Sequence, residues 1–155
     1  MIDTSVSLDM LNESHKGSMA HHLNIEFIEI SNDYLVARMP VNERTTQQLG
    51  MLHGGASASL AESVGGVASY LSLDRQSYYC LGLEIKCNHV KTVKKGFVYA
   101  TAVPMHLGTK THIWQIKIND ENDELVSLST LTMAILELDE ASRERIRAFS
   151  VYFRS

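Results

Sequence analysis

Between Gly50 and Leu73 the chain reads GMLHGGASASLAESVGGVASYLSL, and Glu62 is the only residue in that stretch carrying a full charge at neutral pH. A helix at a protein surface normally spends one face on Lys, Glu and Arg, so a lone acid among small and apolar residues needs a reason. Burying an unpaired carboxylate is costly, which leaves two readings: an ion pair with a distant Lys or Arg, or retention because chemistry uses it. Just upstream, His53-Gly54-Gly55 opens the segment. Free backbone N–H groups and the positive dipole end collect at a helix start, and glycines let a substrate oxygen approach them, so this turn is a candidate oxyanion site. Gly55 and Glu62 fall nearly on one face but about 10 Å apart along the axis. One substrate carbon is therefore out of reach of both within one helix, whereas two antiparallel copies of the helix would bring Gly55 of one chain to Glu62 of the other.

The elements that must position this pair are readable from periodicity. Leu60, Val64, Val67 and Leu71 recur at helical spacing, giving a helix from His53 to about Leu71. Opposite that stripe the same period places Gly55, Ala58, Glu62, Gly65, Gly66 and Ser69. Before it, Asp3 or Ser5 is the expected cap of a short amphipathic helix with Leu8, Leu11 and Met19 on its apolar edge. Ile25, Phe27 and Ile28, the turn triplet Ser31-Asn32-Asp33 and alternating Tyr34–Val41 then read as a hairpin. Four more β-like segments follow at about Tyr79–Val90, Phe97–Met105, Ile113–Asn119 and Leu125–Leu138. Six strands around one apolar helix imply an α+β protein whose antiparallel sheet covers the helix, because the stripe would otherwise stand in water. Long strand edges are safest paired with another copy, which favours a homo-oligomer. From Glu140 to Arg147 the chain is charge-dense and helix-compatible, and Phe149, Val151, Tyr152 and Phe153 are candidates for docking that tail on the body.

Composition bounds the alternatives. At 155 residues, 45% hydrophobic and 21% charged, one domain with one core is expected. A net charge of −4 argues against nucleic acid as a partner. Cys80 and Cys87 are too few and too far apart for a zinc cluster and read as two buried free thiols. No metal is expected: there is no HExxH, and the adjacent His21 and His22 cannot share a helical face. The N-terminus carries acids early and lacks the apolar core of a secretory signal, and no stretch approaches a spanning helix, so the expected address is the cytoplasm, with no membrane partner. Ser57, Ser59, Ser63 and Ser69 lie on the helix outside any G-x-S-x-G elbow, and the Gly-Gly pair lacks the lysine and hydroxyl of a P-loop.

The run Gln47 to Ala56 continuing through Glu62-Ser63, with Gly82-Leu83-Glu84-Ile85, Asn88-His89-Val90-Lys91, Pro104 to Lys110 and Trp114-Gln115-Ile116, resembles the hotdog-fold acyl-CoA thioesterases. The branch it looks most like is the bacterial PaaI/YdiI type, and within it the hydrolases of 1,4-dihydroxy-2-naphthoyl-CoA in menaquinone or phylloquinone synthesis. The likeness spans roughly residues 8–136 of a single domain covering 1–155, with 139–155 as a C-terminal extension.

The resemblance implies a long helix wrapped by an antiparallel sheet, a dimer of dimers with active sites between subunits, an acyl-CoA substrate and no cofactor. Carried over by motif, Glu62 is the nucleophile or general base, the Gly55 amide polarises the thioester carbonyl, and Gln47 and His53 position the carbonyl and the thiolate. Coenzyme A would lie along Gly82, along His89, Val90, Lys91 and Thr92, and along the loop His106, Leu107, Gly108, Thr109, Lys110 and Thr111. Two positions depart from the pattern: Lys91 stands where an Arg is common, exchanging a bidentate fork for a point charge, and Gly66 stands where a Ser or Thr often supports the carboxylate. Ser63 and Ser69 are the candidate substitutes. Two other readings remain open. A hotdog hydratase or dehydratase would use a His–acid pair, and a non-catalytic acyl-CoA-binding module would hold its ligand without releasing thiol.

Overall fold

The computed structural model describes residues 1–149. Two short helices, α1 (Leu8–Ser14) and α2 (Met19–His22), precede the hairpin β1 (Glu26–Ile30) and β2 (Leu35–Pro40). The central helix α3 (Gly54–Leu71) follows, then β3 (Tyr78–His89), β4 (Phe97–Leu107), β5 (Thr111–Asp120), β6 (Leu125–Glu137) and α4 (Glu140–Phe149). The strands form one antiparallel sheet in the order β1-β2-β4-β5-β6-β3. Its inner face closes on α3, and Leu60, Val64 and Leu71 pack into a core with Trp114, Ile116, Ile118 and Leu131. Residues 150–155, with the docking expected of Val151, Tyr152 and Phe153, lie outside the described residues, as does the side chain of Phe149.

Several expectations are corrected. Ser7, not Asp3 or Ser5, caps α1, its hydroxyl accepting the Met10 N–H at 3.2 Å, while Asp3 pairs with Arg75. Gly17, at a φ of +80° that L side chains avoid, ends the first helical segment, and Ser18 caps a separate turn. Met19 opens that turn at 64% exposure instead of joining the apolar edge. On α3, Gly65 and Ser69 face the sheet, and Val67 is only partly buried. A Cβ at Gly65 would stand 2.6 Å from the Leu131 side chain, so smallness there lets the helix settle onto the strands. Both thiols are half-buried rather than buried, because β3 is the sheet's long edge strand.

Ser69 belongs to a buried polar pair. Its hydroxyl lies 2.7 Å from His112 Nδ1, with Ser69 fully buried and His112 nearly so. Burial holds the His112 pKa below its usual 6.5, and the neighbouring His106 and chain N-terminus push the same way. A histidine kept neutral in the fold but free to charge when unfolded contributes stability above pH 6.5 that is lost as pH falls. We expect unfolding free energy to decline as pH falls below 6.5, and the His112→Gln variant to show a flatter profile. Urea titrations across that range check it.

Candidate functional site

The HGG turn is pinned from below. Buried Thr45 donates its hydroxyl to the Pro40 carbonyl at 2.8 Å and accepts the His53 N–H on its own carbonyl at 2.8 Å. Leu52 N–H reaches Val93 O at 2.7 Å, and a Thr46–Leu52 bridge closes a small loop whose tip turns through Gly50 at φ +71°. Gln47 sits on that loop, its Oε1 accepting the Leu49 N–H at 2.8 Å. The chain then enters α3 with His53 as N-cap. The cap is made by the ring: the Gly55 N–H donates to His53 Nδ1 at 2.8 Å. The amide expected to await a substrate oxygen is thus held by the neighbouring imidazole.

Glu62 lies two turns further on, exposed in the protomer, on a face it shares with Gly55 and the half-buried Ala58, Ser59, Ser63 and Gly66. Its partner across the gap is β3. A Cβ at Gly82 would stand 2.7 Å from Glu62 Oε1, so the glycine leaves the space that the carboxylate occupies. Neither Lys nor Arg comes within ion-pair distance of Glu62 among the described residues, which removes the buried ion pair as its explanation. Replacing Gly82 by Ala would push aside the far end of a flexible side chain and leave the backbone alone. We expect turnover to fall about ten- to a hundredfold with the melting temperature kept, since a displacement near 1 Å of a reacting carboxylate carries such penalties. Steady-state kinetics beside a thermal melt would test this.

The remaining residues separate into groups. His89, Val90, Lys91 and Thr92 line a 270 Å³ cavity with Leu52, Gly54, buried Ser57 and Val126. The His89 ring stands against Gly54, 3.0 Å from where a Cβ would lie, so a larger residue there would have to shift that ring by a few tenths of an ångström. Lys91 is already paired with Asp120 and Glu124; these bonds hold its pKa above the usual lysine value, and Lys91 holds that of Asp120 down. The loop from His106 to Thr111 joins β4 to β5 at the other end of the sheet, where Thr111 and Leu81 both pair with Ala134. Gly82 and His89 are seven residues apart on β3, about 23 Å along the strand. One chain therefore does not gather the two expected coenzyme A segments. Ser63 stays on the Glu62 side, whereas Ser69 is turned into the core.

A second hollow was not foreseen. A 390 Å³ cleft beside His53 and Gly55 is bounded by Met19 and Leu23 at the two ends of α2, by Arg44 and Thr46, and by Ala56 and Ser59 of α3. The only signal in the sequence is Met19, an apolar residue next to a run of polar ones, and periodicity assigns it to the wrong helix.

The sequence matches the model of the thioesterase superfamily over residues 49–127. It is also 46% identical to the 1,4-dihydroxy-2-naphthoyl-CoA hydrolase of Escherichia coli, over 84% of this chain and 96% of that protein. The chain belongs to the thioesterase superfamily. Among other relatives of this thioesterase is the proofreading thioesterase EntH of Cronobacter turicensis, 40% identical over 84% of this chain and 95% of the other. A mutant form of thioesterase PA1618 from Pseudomonas aeruginosa superposes with a TM-score of 0.87 at 42% identity, covering 88% of this chain and 99% of its own. Thioesterase HI1161 of Haemophilus influenzae gives 0.86 at 38% identity, covering 90% and 96%. The sheet closed on α3 is the hotdog fold, and the thioesterase is a thioester hydrolase.

Proposed function

We propose that the thioesterase hydrolyses aryl- or medium-chain acyl-CoA, with 1,4-dihydroxy-2-naphthoyl-CoA of menaquinone synthesis as the leading candidate, to the free acid and coenzyme A. The observation that carries this reading is Glu62: the one charge of an 18-residue helix, on its small-residue face, with its carboxylate lodged against Gly82. An ionised Glu62 takes a proton from water as the oxygen adds to the thioester carbon, or attacks that carbon itself to give an anhydride that water then opens. In either course the C–S bond breaks, one water is consumed in releasing the free acid, and the thiolate leaves as coenzyme A after gaining a proton. The carbonyl oxygen takes the Gly55 N–H in exchange for His53 Nδ1, and the freed imidazole and Gln47 orient the thioester.

In this reading the site needs two protomers. The β3 edge offers unpaired backbone next to Leu81 and Leu83, exposed at 53% and 62%. Antiparallel pairing of two such edges lays the α3 helices side by side and shelters each Glu62 beside the partner's HGG turn. It also lets the His89–Thr92 and His106–Thr111 segments meet one coenzyme A from different subunits. Exposed Val103, Met105 and Leu107 of β4 and Leu136 of β6 supply a further apolar surface for a dimer of dimers. The two free cysteines suit a reducing cytoplasm. Thiol release measured over hydroxynaphthoyl-, benzoyl- and straight-chain acyl-CoA tests the proposal, with fastest turnover expected on the aryl esters. Binding of these esters without thiol release would make the protein a carrier, and loss of water from 3-hydroxyacyl-CoA would make it a dehydratase.

A further inference from the structure

The cleft beside the HGG turn has a wall that the thioesterase reading does not use. Met19 and Leu23 bracket α2, a four-residue turn too short to hold its place by its own hydrogen bonds. Arg44 fastens it. The guanidinium Nη1 donates to the His22 carbonyl and to Asn24 Oδ1, both at 3.4 Å, from a turn only nine residues before the helix cap His53. Asn24 adopts φ +54°, a left-handed conformation that Asn tolerates, and so turns the chain from α2 into β1 while its side chain meets Arg44. Arg44 itself is oriented through its N–H, which donates to Asn42 Oδ1 at 3.0 Å. The effect is an apolar lip, Met19 at 64% exposure, held over a hollow that opens beside the amide where the thioester carbonyl is to sit.

We propose that α2 is the acyl gauge of this enzyme: the part of the acyl group beyond the carbonyl lies in this cleft, Met19 and Leu23 set the width it accepts, and Arg44 is the positioning residue that holds them. The inference rests on the thioesterase reading. An unbranched, polarisable Met suits such a lip because it adapts to flat aromatic faces at little cost in strain. The chemistry of the cleft is apolar on α2 and at Ala56, and the Ser59 hydroxyl is spent on the Gly55 carbonyl at 2.8 Å. With 390 Å³ of space and an apolar wall on α2, the cleft favours a bulky apolar acyl group, of aryl or fused-aryl type, over a short chain.

The test compares kcat/KM for 1-naphthoyl-CoA and propionyl-CoA in the parent, Met19→Trp, Arg44→Met and Arg44→Lys proteins. Filling the cleft in Met19→Trp is expected to lower the naphthoyl-to-propionyl ratio by about tenfold or more, chiefly through KM. Arg44→Met should move the ratio the same way by about three- to tenfold, and Arg44→Lys, which can still donate to the His22 carbonyl, should restore most of it. A ratio unchanged in Met19→Trp overturns the gauge, and an Arg44→Met ratio equal to the parent's overturns the positioning role of Arg44. Absence of coenzyme A release from either ester by the parent protein would instead overturn the thioesterase reading, and the gauge with it.

Discussion

Exchanging Glu62 for Gln is expected to lower kcat about 10²- to 10⁴-fold while the protein stays folded and able to bind the proposed acyl-CoA substrate. Gln preserves shape and hydrogen-bonding reach but can neither accept a proton from water nor attack a carbonyl carbon. The fold has little stake in the charge: Glu62 is exposed in the protomer and forms no ion pair among the described residues. Substitutions of that kind change stability by about half a kcal/mol at most. Single-turnover thiol release, with near-UV circular dichroism as the control for folding, separates the two effects. Turnover within a factor of a few of the parent would remove Glu62 from the chemistry.

The largest effect on stability is expected at Trp114. It is fully buried on the inner face of β5, in the same core as Leu60, Val64 and Leu131 of the helix–sheet interface. Truncation to Ala removes two rings from a site the surrounding strands cannot collapse into, and should cost about 3–5 kcal/mol. Trp114→Phe should cost far less than Trp114→Ala. The indole N–H has no acceptor among the described residues, so losing it gives back part of what the smaller ring forfeits in packing. Urea unfolding at one fixed protein concentration measures both, the concentration mattering if unfolding is coupled to dissociation.

The strands and the central helix were legible because each carries a period: alternation from Phe97 onward, and Leu60, Val64 and Leu71 on one stripe. The facing of small residues was not. A helical wheel ranks Gly65 and Ser69 with the polar side, yet a sheet wrapped tightly on a helix needs its smallest residues where Leu131 and Ile116 press closest, and His112 gives Ser69 a partner that no periodicity reveals. The N-terminal break escaped for a similar reason, since Gly17 interrupts a pattern of apolar spacings that by itself runs on to Met19. Within the site, Glu62 and the HGG turn stood out by composition alone. Their relation to Gly82, the pairing of Lys91 and the role of Arg44 depend on contacts between segments far apart in sequence.

The imidazole that closes the helix end has a consequence for selectivity. In the reaction proposed above, an incoming carbonyl does not fill an empty socket; it must evict an acceptor already seated at 2.8 Å. That exchange gains little by itself, so the free energy to drive it has to come from the rest of the ligand, through the nucleotide handle at one end and the acyl body at the other. Small anions and stray carbonyl compounds lack such leverage and would leave the ring where it is. Only a molecule gripped at both ends could open the latch.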